Sequence, residues 1–225
     1  MTEPKTPGLD AAVYAAMLAS TTPPDQVLVD LAAVTRARMR SRAGMLISPE
    51  QGAFLTVLSR LGRVRLAVEL GTFTGYSAIC IARGLAPGGR LIAIDNDPRV
   101  TELAPGYWFK AGVADRIELR IGDAIETLGE LPAEPSIDLA FVDADKHENP
   151  RYLELLLDRL SPDGVIAVDN TLWHGAVVGP PAEHDPTTAA IAAFNAAVAA
   201  DPRLDVVQLA IGDGLTLIQH RRPPP

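Results

Sequence analysis

The sequence predicts an α/β fold, a mostly parallel sheet with helices on both faces that ends in an antiparallel hairpin. Two observations carry this. Short, nearly continuous apolar runs alternate with helical stretches, as in a parallel sheet covered on both sides. The last two runs, 204–211 and 214–219, are joined only by Gly212-Asp213-Gly214, a hairpin signal.

The elements follow in order. Residues 8–20 and 23–42 read as helices, separated by the Thr-Thr-Pro-Pro break at 21–24. Ser48-Pro49-Glu50 opens a third helix, with Ser as N-cap, Pro at the first helical position and Phe54, Leu55, Val57, Leu58 and Leu61 on one stripe. Strands are expected at 66–70, 91–95, 117–121, 137–143 and 165–169, before the hairpin pair. Helices are expected between them at 76–86, 98–112, 123–130 and 148–160. Right-handed crossovers restrict such a sheet to doubly wound topologies, whose ligands bind beyond the strand C-termini.

Composition excludes several classes. At 225 residues and 48% hydrophobic, the chain suits one domain with an ample core. No apolar stretch reaches the roughly 18–20 residues of a membrane helix. The opening MTEPKTPGLD lacks a basic segment leading into an apolar one, so no signal peptide and no membrane partner are expected. The single cysteine, Cys80, allows no internal disulfide, and a cytoplasmic home is expected. The net charge of -8 repels phosphate backbones, so nucleic acid is not an expected partner. Arg36, Arg38, Arg40 and Arg42 are scattered around a helix rather than gathered into a patch.

Polar residues gather where the apolar runs end. The first run ends in Glu69 and enters Gly71-Thr72-Phe73-Thr74-Gly75-Tyr76-Ser77. The two glycines permit a tight strand-to-helix turn whose N–H groups face an anion, phosphate or carboxylate. Phe73 stands where a dinucleotide motif needs its second glycine, which disfavours a pyrophosphate. Ser77 adds a hydroxyl, and Asp95, at the end of the next run, can accept both hydroxyls of a ribose. A carboxylate plus a ribose without pyrophosphate describes S-adenosylmethionine; a plain tight turn is the competing account. Asp143, Asp169 and Asn170 are oxygen ligands at two further strand ends, a set suited to Mg²⁺ with positions left open. Solvated strand-end residues are the alternative. The four histidines lack zinc spacing. Lys146 lies three residues after Asp143. Beside a dication its pKa should fall, making it a base for a metal-acidified hydroxyl. A surface lysine paired with Asp145 is the other reading.

With these residues in view, the chain resembles the caffeoyl-CoA and catechol O-methyltransferase superfamily, particularly its smaller bacterial members. The resemblance rests on ordered motifs: SPEQGAFL, ELGTFTGYSA, AIDNDP, KAGV, GDA, FVDADK, VDNTLWHGAVV and GDGLTL, within residues 41–219. It implies a Rossmann-like methyltransferase fold with seven strands and a reversed last pair. Residues 1–46 would form N-terminal helices covering the site and 47–225 the methyltransferase domain, all within one structural domain. Asp143, Asp169 and Asn170 would hold Mg²⁺ (or Mn²⁺ or Ca²⁺), and Lys146 would be the base, with Asp143 also catalytic. Ile47, Glu69, Gly71, Thr72, Ser77, Asp95, Asp123, Ala124 and Asp143 would contact S-adenosylmethionine. Trp173 would form an aromatic wall, a buried core Trp being its alternative. Lys146, Asn170, Trp173 and His174 would face the substrate, although His174 also reads as a solvated loop residue.

Two departures matter. DADK is followed by His147-Glu148-Asn149-Pro150-Arg151-Tyr152 rather than the plant segment. The residues with which plant members grip coenzyme A are not recognisable in 1–46. A small phenolic diol is therefore the expected acceptor, with a hydroxycinnamoyl-CoA ester or a non-catalytic adenosyl-binding role as alternatives. A homodimer is expected from the family.

Overall fold

The structure, a computed structural model, describes residues 9–222. It holds one seven-stranded sheet in the order β3-β2-β1-β4-β5-β7-β6. The strands are β1 Leu66–Leu70, β2 Arg90–Asp95, β3 Ile117–Ile121, β4 Ile137–Val142, β5 Leu160–Asp169, β6 Leu204–Leu209 and β7 Leu215–His220. Strands β1 to β5 pair in parallel, while β7 runs antiparallel to both β5 and β6. The strand order reverses between β1 and β4, and a crevice opens beyond the strand ends at such a switch point.

Alternation along the strands explains why both faces are apolar. Ala67, Ala93, Leu139, Phe141 and Ala167 point to one face and pack against α2 Gln26–Met39, α3 Pro49–Leu61, α4 Tyr76–Gly84 and α5 Ala104–Lys110. Val68, Leu70, Ile94, Val142 and Val168 point to the other and meet α6 Ala124–Glu130, α7 Asn149–Leu157 and α8 Pro186–Ala200. The first helix, α1 Ala11–Ala19, is capped by Asp10 and buries no residue fully. No helix among the described residues is long and apolar enough to cross a membrane.

Several boundaries differ from expectation for identifiable reasons. The helix expected at 8–20 begins outside the described residues; its observed part starts at the Asp10 cap. The helix expected at 23–42 stops at Met39, because Arg40 turns to φ +44 and a 3-10 segment follows over Arg40–Met45. The 98–112 stretch splits into a 3-10 turn, Thr101–Leu103, and the short α5. The 76–86 and 148–160 helices end early, at Gly84 and Leu157. Strand β5 starts at Leu160 instead of 165, with a register shift against β4 between Ile137 and Leu139. Ser48 does precede α3, but its hydroxyl donates to Glu50 instead of capping the helix. On α3, Leu55 is buried while Val57 and Leu61 are exposed, so the expected stripe is narrower. Helix α8 has no counterpart among the expected elements. Its Asp185 cap and Pro186 start were readable, but its alanine-rich body shows only Ile191, Phe194 and Val198 as buried apolar anchors.

Candidate active site

The first strand-end turn is built by a close approach. Gly71 sits at φ +89, and any Cβ there would strike the Asp143 carbonyl, so the loop after β1 lies directly on the loop after β4. Gly75, at φ +87, accepts a hydrogen bond from Trp108 Nε1 at 3.2 Å and starts α4 without a side-chain cap. Asp95 ties this turn to β2. Its Oδ2 accepts from the Thr72 N–H at 3.1 Å and the Phe73 N–H at 2.8 Å, and its Oδ1 accepts from Asp97 N–H at 2.9 Å. The N–H groups of Gly71 and Gly75 go to Ile94 and Thr72 carbonyls, both at 2.9 Å. Four turn N–H groups are thus satisfied internally, where the sequence suggested free donors for an anion. Asp95 keeps lone-pair capacity mainly on Oδ1 for a ribose hydroxyl. Asp123 likewise holds backbone: its Oδ1 accepts from Ile125 and Glu126 N–H at 2.8 and 3.1 Å, capping α6.

The ends of β4 and β5 differ. Lys146 is 9% exposed and its Nζ donates to Asp143 Oδ1 at 2.8 Å. The partner is Asp143, not Asp145, and the lysine is buried rather than on the surface. Asp169 is 3% exposed and accepts from the Asn170 N–H at 2.7 Å. Burial raises the Asp143 carboxyl, against the opposing Lys146 charge. Burial first, then the Asp143 charge, pushes Asp169 up to about 7. Asn170 follows at φ +61, a left-handed conformation that asparagine tolerates. Buried Asp169 and half-buried Asp143 have one ammonium near them, Lys146, which leaves a deficit of positive charge. Two carboxylates and an amide oxygen suit a hard cation, which would relieve that deficit. Among the described residues no three His, Cys, Asp or Glu side chains form a metal-sized cluster.

Both groups open on one cavity of about 1140 Å³. Of the residues singled out in the sequence, Ile47, Gly71, Asp95, Asp123, Ala124, Asp143, Lys146, Asp169, Asn170, Trp173 and His174 all line it. Thr72 and Ser77 line only a small adjoining space of about 10 Å³, and Glu69 lines neither.

Comparison with known proteins follows this geometry. A family model described as O-methyltransferase matches residues 18–221. Tricin synthase 1 of Oryza sativa subsp. japonica is 39% identical over 77% of this chain and 73% of its own. Caffeoyl-CoA O-methyltransferase of Populus kitakamiensis is 36% identical over 86% of each chain. The O-methyltransferase of Bacillus cereus in complex with SAH, the spent methyl donor, superposes with a TM-score of 0.83 at 32% identity, covering 93% of this chain and 97% of that one. The chain belongs to the S-adenosylmethionine-dependent O-methyltransferases.

In this methyltransferase Glu69 lies beneath the glycine turn, fully buried, with neither carboxylate oxygen hydrogen-bonded among the described residues. Burial pushes it up to about 8, opposed by the Ser77 and Thr72 hydroxyls, which lie near it without hydrogen-bonding geometry, and reinforced by the charges of Asp143 and Asp95. Trp173 is half-buried on the cavity wall rather than in the core. Trp173, His174 and Gly175 are three consecutive residues at positive φ. Asp213 holds this turn, accepting from the His174 N–H at 2.6 Å, while its carbonyl takes the Leu172 N–H at 3.0 Å. His174 is 85% exposed and stacks on Trp173 at 5.9 Å. Sequence reasoning missed Tyr14, Glu50, Gln51, Asp97 and Asp213, which also line the cavity. Of these, Asp213 stood within a flagged hairpin, and Glu50, Gln51 and Asp97 within flagged motifs.

Proposed function

We propose that the methyltransferase moves the methyl group of S-adenosylmethionine to one hydroxyl of a small, catechol-like diol, in the cytoplasm and as a homodimer. The observation that carries this reading is the pair of carboxylates on the cavity, buried Asp169 and half-buried Asp143, short of one positive charge beside Lys146. Asp143, Asp169 and Asn170 would hold Mg²⁺ (or Mn²⁺ or Ca²⁺). A divalent cation bound there supplies charge that acidifies a hydroxyl and leaves positions for two adjacent oxygens.

The chain's own residues do the rest. Lys146 Nζ accepts the proton of the reacting hydroxyl, and Asp143 holds that nitrogen in place. Trp173 and the turn at His174 confine the acceptor ring. Asp95, Asp123 and Ala124 take the adenosine end of the cofactor, while Ile47, Gly71, Thr72, Ser77 and Glu69 surround its amino-acid end. The cofactor's sulfonium charge disappears during transfer, so a cavity that excludes water favours the reaction.

A radiolabelled methyl-transfer assay over a catechol panel, with caffeoyl-CoA as a separate arm and EDTA in parallel, tests the reading. Label on catechols that disappears in EDTA is expected. Undiminished transfer in EDTA removes the cation, and label on caffeoyl-CoA alone removes the small diol. Light scattering that gives a monomer mass at micromolar concentration would count against the dimer.

A further inference from the structure

We propose that Glu50 selects the acceptor by charge, its carboxylate receiving a protonated amine on the side arm of the diol. This rests on the diol reading above and adds what lies beyond the ring.

Glu50 is 9% exposed yet lines the cavity. Tyr14 Oη donates to its Oε2 at 2.9 Å and Ser48 Oγ donates to its Oε1 at 2.5 Å. Burial, then Glu50 itself, raises the Tyr14 hydroxyl, so Tyr14 remains a donor. Neither partner brings a charge. The lysine and arginine side chains on the cavity wall among the described residues are Arg42, Lys146 and Arg151, and each pairs elsewhere. Arg42 meets Asp97 at 3.4 Å, Lys146 meets Asp143 at 2.8 Å, and Arg151 meets Glu148 at 3.0 Å. Glu50 forms no ion pair among the described residues. Buried carboxylates without a counter-charge are rare, because desolvation is expensive. One that opens on a ligand cavity is matched by a charge on the ligand.

Position says which ligand. Glu50 is flanked by Ser48 and Gln51, which pack against Gly212 in the β6–β7 loop. That loop holds the Trp173–His174 turn through Asp213, on the β5–β7 side of the sheet. The residues assigned to adenosine, Asp95, Asp123 and Ala124, lie on the β2–β3 side. Glu50 therefore faces the acceptor half. Gln51 Nε2, in a side chain 2% exposed on the same wall, also lacks a hydrogen-bond partner. Its amide lies against Gly212 and bears on Asp169 rather than on Glu50, and it supplies no counter-charge.

Three matched catechols test this with Mg²⁺ and S-adenosylmethionine present: 3,4-dihydroxybenzylamine, 4-methylcatechol and 3,4-dihydroxyphenylacetate. The readout is the ratio of kcat/KM for the amine to that for the neutral catechol. In the wild type it should be about tenfold or more, carried by KM, with the carboxylate poorest. In Glu50→Gln, which preserves the hydroxyl contacts, the ratio should fall to about one. In Tyr14→Phe, which preserves the charge, it should persist. Calorimetry of the three catechols with the Mg²⁺- and SAH-bound protein should give the same order without turnover. A wild type indifferent to side-arm charge overturns the proposal, whether or not the variant folds. So does an effect of Glu50→Gln confined to the KM for S-adenosylmethionine, which would make the cofactor ammonium its partner. Methylation of all three without preference removes Glu50's role and keeps the diol; methylation of none, with cofactor still bound, removes both.

Discussion

The two ends of the crevice are assembled from the same residue type in opposite ways. On the β2–β3 side each carboxylate is completed by backbone: Asp95 accepts three N–H groups and Asp123 two. On the β4–β5 side the Asp143 charge bears on buried Asp169, and the one nearby ammonium, Lys146, pairs with Asp143. The first end is finished before any ligand arrives and fixes shape. The second carries an electrostatic deficit that a ligand must remove. Preorganisation suits a constant cofactor, and stored repulsion suits a site whose chemistry needs a cation.

If the ends are separable, the largest effect should come from Lys146→Ala. Turnover should fall by roughly 10²–10⁴-fold, the range for a lost general base. Calorimetric affinity for the cofactor should stay near wild type. Near-normal turnover refutes the base assignment, and an equal loss of cofactor affinity refutes the separation.

Asp95→Ala is the converse. It strands the Thr72, Phe73 and Asp97 N–H groups, at about 1 kcal/mol or more for each that stays buried. Cofactor affinity should drop about tenfold or more, with thermal stability falling alongside. Unchanged S-adenosylmethionine binding would show that the backbone, not this side chain, makes the adenosine pocket.

Asp169→Asn tests the stored repulsion. Without divalent cation at pH 8 the variant should melt a few degrees higher than wild type, since about 1 kcal/mol corresponds to roughly 2–4 °C at this size. Added Mg²⁺ should stabilise the wild type and leave the variant's melting temperature where it was. A lower melting temperature in the cation-free variant means the carboxylate is not under strain.

This contrast also marks what could be read from the sequence. Strand ends at Asp95, Asp143 and Asp169 were legible because apolar runs stop abruptly there, and parallel topology brings such ends together. The Gly212–Gly214 signal gave the reversed hairpin, although the loop runs from Ala210 to Gly214. Partnerships were not legible. That Lys146 pairs with Asp143 rather than the nearer Asp145 depends on which side of the turn is buried. That Asp95 serves the Thr72 and Phe73 N–H groups depends on the exact approach of two loops. The Tyr14–Glu50 contact spans 36 residues and joins two helices, so no local pattern records it. Helix α8 was hidden because alanine carries helix propensity without periodicity.

Glu69 gives the smallest effect and decides to which end the glycine turn belongs. It sits on β1, between the two ends, yet its environment matches the acceptor side: fully buried, unpaired, and raised to about 8. The unfolded chain releases this proton near the usual 4.5, whereas the folded protein retains it up to about 8. An acid raised in this way makes the fold less stable as pH climbs through that window, and the loss is complete above about 8. Glu69→Gln removes the titration. In cation- and cofactor-free protein, wild type and variant should melt alike near pH 4.5, and the variant should pull ahead progressively to about pH 8 and then hold its lead. A constant difference across that range would place Glu69 with the completed carboxylates of the cofactor end. A gap that widens with pH and narrows when S-adenosylmethionine is added would mean that the cofactor's positive charge relieves the same kind of deficit a cation relieves at Asp169.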